Sequence, residues 1–162
     1  MGYELIAFLG RKPDLAKWRA TLPSAVVCPL GGEVSLVPVT AALYGEIRKR
    51  LAGLDIERLD RGRNVYPAPS FEEAARRWGR EASADSVVAY VSVGEFGNDS
   101  HDEAWLWSKG SATLERATVG AVLAHMRDHL GFDLDGKDLE SALGRHRGEN
   151  AAEKWALEAF DR

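Results

Sequence analysis

Cysteine is nearly missing from this chain. Among 162 residues there is one, Cys28, so an internal disulfide is excluded and the fold cannot rest on a disulfide framework. A chain of this length buries roughly 70% of its unfolded surface and needs no such staple. Charge of one sign is also scarce: 25 acidic residues against 21 basic ones leave a formal net charge of −4. That balance argues against a general nucleic-acid binder. No stretch reaches the roughly 20 consecutive apolar residues of a membrane span, so no membrane partner is expected. Met1 to Gly10 has no basic opening segment and reads as a strand, not as a secretory leader. Together with the lone cysteine this points to a reducing, cytoplasmic setting.

What is present suffices for one folded domain: 45% of the residues are hydrophobic and 28% charged. Tyr3 to Leu9 is apolar on both faces, as in a strand covered on two sides. Pro13 suits the first turn of a helix that carries Leu15, Trp18 and Leu22 and stops at Pro23. Ala25 to Leu30 and Val34 to Val39 flank a Gly31-Gly32 turn as a hairpin, with Pro38 weakening the second strand or placing it at an edge. Thr40 caps a helix through Leu43, Ile47 and Leu51 that Gly53 closes, and residues 54–69 form a loop. Ser70 and Glu73 make a capping box ahead of Phe71, Ala74, Ala75 and Trp78.

Ser86 to Val93 is the strongest strand, with Val87, Ala89, Val91 and Val93 on one face and Val88, Tyr90 and Ser92 on the other. A loop over Gly94 to Asp102 follows, then a strand over Glu103 to Ser108, a turn at Lys109-Gly110-Ser111 and a short strand over Ala112 to Glu115. Thr118 caps a helix ending at Gly131. The fold class is α+β: a single domain with a mixed or mainly antiparallel sheet of five to six strands packed by helices. Residues 1–131 form its core, and residues 132–162 form a helical extension of the same domain that packs through Leu139, Leu143, Trp155, Ala156 and Phe160.

Motifs for chemistry fail one by one. His125 and His129 have metal-ligand spacing, but the helical wheel puts both at the solvent border, and no general-base Glu follows His125. Asp133 to Asp138 lacks the carboxylates a calcium loop requires at its first and last positions. Gly31-Gly32 joins two strands and so does not cradle phosphate. Cys28 lies in an apolar run as an inert thiol. Arg58, Arg61, Arg63, Arg76, Arg77 and Arg80 are offset by neighbouring carboxylates, although Arg61-Gly62-Arg63 can grip an anion. No metal site, no cofactor and no catalytic residue is expected.

The most suggestive segment is Glu95, Phe96, Asn98, Asp99, His101, Asp102 and Glu103, followed by Trp105 and Trp107. Four carboxylates and a histidine within nine residues can present negative charge to a partner. The two tryptophans share one strand face, as core or as an aromatic anchor. Around this segment the chain resembles a group of small, uncharacterised bacterial proteins with a Tyr-Val-x-x-x-Tyr-Phe-Gly-Gly-x-Gly-x-Gln-x-Ala-x-Val-Trp stretch. The matching positions are Tyr90, Val91, Phe96, Gly97, Ala104 and Trp107. The strand at Gly2 to Leu9 and the run Val37 to Leu43 are similar too, and the resemblance extends to about residue 130. Here Gly97-Asn98-Asp99-Ser100 replaces the glycine-rich loop, and acidic residues replace the Gln.

Some small, acidic proteins of this general type are immunity proteins, so the resemblance implies a non-enzymatic protein-binding module with a toxin-like protein partner. Glu95, Phe96, Asn98, Asp99, His101, Asp102, Glu103 and Trp105 are its partner-binding candidates. The alternative is a small-molecule-binding protein or enzyme using His101 and Asp102, with Arg61 or Arg63. A homodimer seamed by the helical tail is a third expectation.

Overall fold

The computed structural model describes residues 3–50, 71–96, 99–136, 138–146 and 150–160. Its strands are β1 (Tyr3–Gly10), β2 (Cys28–Gly31), β3 (Val34–Pro38), β4 (Val87–Phe96), β5 (Asp99–Ser108) and β6 (Ser111–Ala117). Its helices are α1 (Lys12–Ala16), α2 (residues 41–50), α3 (Phe71–Ala82), α4 (Val119–Leu130), α5 (Leu139–Leu143) and α6 (Ala151–Phe160). The strands form one sheet in the order β2-β3-β1-β4-β5-β6, and every neighbouring pair is antiparallel. This is the expected α+β class.

Alternation along the strands separates two cores. Leu5, Ala7, Leu9, Leu36, Ala89, Val91, Ala104 and Leu106 face one side, where Val122, Leu123, Met126, Leu139, Leu143 and Trp155 of α4, α5 and α6 cover them. Phe8, Val37, Val88, Tyr90, Trp105 and Trp107 face the other, under Leu15, Trp18, Leu43, Ile47, Ala75 and Trp78. An antiparallel sheet commonly leaves one face to water; here helices cover both, which explains why β1 and β4 read as nearly unbroken apolar runs. The Trp pair is core: Trp105 is 8% exposed, Trp107 is 1%, and their rings stack at 6.1 Å. The α3 backbone lies directly on Trp107, because a Cβ at Gly79 would come within 2.4 Å of its ring.

Several expectations change. The helix opened by Pro13 tightens into a 3-10 turn at Lys17–Ala20, yet Leu15, Trp18 and Leu22 remain buried. β3 is interior, not an edge, since β2 pairs with one side of it and β1 with the other. Pro38 fits there because β2 starts at Cys28, opposite Leu36. Val39 donates to the Ile6 carbonyl on the β1 side, so the absent N–H of Pro38 faces the side that β2 has not yet reached. The sequence pattern predicts tail helices over Lys137 to Arg147 and Glu149 to Phe160; the first spans only Leu139–Leu143, and Leu139, Leu143 and Trp155 share a core with Leu5 and Leu36. Leu51, Gly53, the loop at 54–69, its arginines and Ser70 lie outside the described residues.

Candidate partner-binding site

The acidic segment is a hairpin rather than the expected loop over Gly94 to Asp102. β4 runs on to Phe96 and β5 begins at Asp99, with Glu95 opposite Ser100, Gly94 opposite His101, Val93 opposite Asp102 and Ser92 opposite Glu103. Polar side chains did not prevent pairing, because β4 is itself backed by β1 as far as the Tyr3–Glu95 pair. Ladder hydrogen bonds are backbone bonds and need no apolar side chain. On its far side β5 has less support. The last residue of β6, Ala117, pairs with Ala104, so among the described residues Asp99 to Glu103 pair with β4 alone.

Pairing splits the site residues between two faces. Glu95 and Asp102 fall on the α4 side, in step with Val93 and Ala104; His101 and Glu103 fall on the α3 side, in step with Trp105. Each then takes its own partner. Asp102 accepts a hydrogen bond from the Val119 N–H at 2.8 Å, so it caps the first turn of α4 beside Thr118, which accepts from Ala121 N–H at 3.1 Å. The His101 Nε2 lies 2.9 Å from the Ser92 hydroxyl. Glu103 accepts from the Trp105 indole N–H at 3.1 Å, and the Arg76 guanidinium lies 4.8 Å from the centre of the same indole. Trp105 is therefore a covered wall beneath the hairpin and not an open anchor. His101 and Asp102 do not converge on one pocket. The side chains of Phe96, Asn98 and Asp99 lie outside the described residues.

Sequence reading missed the role of Asp102. A cap supplied from a neighbouring strand has no local signature, whereas Thr118 announced its cap by position. It also missed a cleft of about 100 Å³ between the start of the chain and the end of α3. Trp18, Trp78 and Ala82 line it together with Asp14, Lys17, Thr21, Asp85 and Ser86. The Trp18 and Trp78 rings meet edge to face at 5.4 Å, and the buried Trp78 indole N–H has no acceptor among the described residues. Asp14 and Asp85 are too far apart in sequence for spacing to reveal that they share a cleft.

A third cluster closes the tail. Glu158 of α6 binds His146 and also Arg145 at 2.7 Å. The Arg145 guanidinium lies 4.8 Å from the centre of the Trp155 ring, and His146 meets that ring edge-on at 5.0 Å. The hydrogen bond from His146, with help from Arg145, holds the Glu158 carboxyl below its ordinary range. Nearby Cys28 is buried, and its Sγ lies 3.4 Å from the Trp155 carbonyl oxygen.

No family model matches this chain, and neither curated proteins nor solved structures match it. Among the described residues no group of three or more His, Cys, Asp or Glu side chains is placed to hold a metal ion, and no helix is long and apolar enough to cross a membrane.

Proposed function

We propose that the protein is a non-enzymatic protein-binding module of the immunity or antitoxin type. It acts in the cytoplasm, and its acidic β4–β5 hairpin meets a basic surface of a toxin-like protein. The observation that carries this reading is the one-sided pairing of Asp99 to Glu103. A partner strand can add to that edge through backbone hydrogen bonds, a recurring mode of recognition. Exposed carboxylates beside the edge repel indiscriminate pairing and favour a basic partner, whose approach they accelerate. The resemblance to small bacterial proteins around Tyr90 to Trp107 agrees with this reading. Asp102 contributes through α4, and exposed Glu95 carries charge that a partner meets.

The test is capture of a stoichiometric companion from the native host by wild-type protein and by a Glu95→Lys/Asp99→Lys variant. The variant is expected to lose the companion and the wild-type complex to weaken as salt rises. Equal recovery by both proteins at low and high salt would refute the hairpin's role. A second reading, small-molecule binding, is favoured by the cleft at Trp18 and Trp78 rather than by His101 and Asp102. Quenching of tryptophan fluorescence by small polar ligands, abolished by Asp14→Asn/Asp85→Asn, is the result that would support it.

A further inference from the structure

The outer flank of α4 carries His125 and His129 one turn apart, with ring centres 4.6 Å apart and planes tilted by 35°. His129 is exposed and His125 half-buried, so both rings are open to small solutes. The helix beneath them is held in place before any ligand arrives. Thr118 and Asp102 cap its first turn, Val119, Val122, Leu123 and Met126 are buried, and Gly131 ends it in a left-handed conformation at φ 71°. The backbone positions of the two histidines are thus set by the fold.

That spacing can be compared with what one ion requires. A coordinating nitrogen sits about 2.0–2.1 Å from a late first-row ion, with the ring centre roughly 1.1 Å behind it. Two imidazoles on one ion then have centres about 4.4 Å apart at a right angle and about 5.1 Å apart at a tetrahedral angle. The observed 4.6 Å falls between these two values, so both rings are close enough to share one ion. We propose that His125 and His129 form a two-point site for a divalent late transition-metal ion such as Ni²⁺, Cu²⁺ or Zn²⁺. Asp128 is not a ligand, because Arg127 holds both of its carboxylate oxygens at 2.8 and 3.2 Å. With no third protein ligand among the described residues, water completes the shell and the ion exchanges freely. This site lies apart from the hairpin and does not depend on its function.

The experiment is calorimetric titration of the untagged, full-length protein with Ni²⁺, paired with thermal unfolding with and without the ion. Binding of a single ion per chain and a raised unfolding temperature are expected. Either His125→Gln or His129→Gln should weaken binding about tenfold or more, because the second imidazole of a chelate acts at high effective concentration. Asp128→Asn should bind like the wild type. His129 is exposed, so its variant keeps the fold, which unfolding without the ion verifies. Binding that is absent, or equally strong in both histidine variants, would overturn the proposal. So would a loss of affinity in Asp128→Asn, which would move the ion onto the carboxylate.

Discussion

Gly79 shows how much a single missing methyl group sets. In an exposed helix, alanine would be favoured over glycine by about 1 kcal/mol. In α3, however, the added Cβ would press on the buried Trp107 ring, which packs beneath the helix and has no room to retreat. Gly79→Ala is therefore expected to lower stability by about 1–3 kcal/mol in urea unfolding, against the helix-propensity trend. Gain of stability would mean that Trp107 is free to move. Asp102 carries a similar lesson about roles. Its carboxylate binds the first N–H of α4, so Asp102→Ala should cost about 1 kcal/mol in unfolding even without a partner. Unchanged stability would return Asp102 to the partner-binding surface.

Elements show why some parts were legible and others not. The period-two pattern of β4 placed Val87, Ala89, Val91 and Val93 on one face and Val88 and Tyr90 on the other, and both sets lie where that alternation put them. The helical period of α4 likewise puts Val119, Val122, Leu123, Met126 and Leu130 on one face, where the first four are buried and Leu130 is half-buried. Local pattern failed where pairing came from elsewhere. Glu95 and Ser100 are extended because their backbones pair, although neither side chain prefers a core strand. The tail latch is an element-scale device with a pH signature. Glu158 has a lowered carboxyl pKa in the folded chain, so the latch contributes stability above the ordinary glutamate value of 4.5 and loses it as pH falls through the lower folded value. Unfolding temperature should drop in that acid range, and Glu158→Gln should flatten part of the drop. A variant with the same acid profile as the wild type would remove the latch from the account.

At the scale of the molecule, the tail is a layer of the fold and not an appendage. It begins where Glu33 N–H donates to the Asp133 carbonyl at 2.7 Å and Asp133 N–H donates to the Glu33 carboxylate at 2.8 Å. Gly32 must be glycine at that crossing: its φ is +56°, and a Cβ would lie 2.2 Å from the Asp133 carbonyl oxygen. From there α5 and α6 cover Leu5, Leu36 and Leu30. Leu139, Leu143, Trp155 and Ala156 of the tail are buried, the first three on the chain's own sheet, and Leu157 is 62% exposed. Removing residues 132–162 should uncover the part of that sheet face that α5 and α6 cover, leaving only α4 on it, and abolish cooperative thermal unfolding of the remainder. A sharp transition in the truncated chain would show that residues 1–131 fold alone.

Length, composition and periodicity determined the class of this protein: one α+β domain, strands apolar on both faces, helices with a single buried stripe. These follow from local chemistry, since a side chain's solubility and the period of its element act within a few residues. Strand order, the interior position of β3, the pairing of Asp99 to Glu103 with β4 alone among the described residues, and the cap from Asp102 to Val119 were decided only by tertiary structure. So were the cleft shared by Asp14 and Asp85 and the separation of the His125 and His129 rings. Each depends on where the chain returns after many residues or on side-chain torsions, and neither leaves a periodic trace in the sequence.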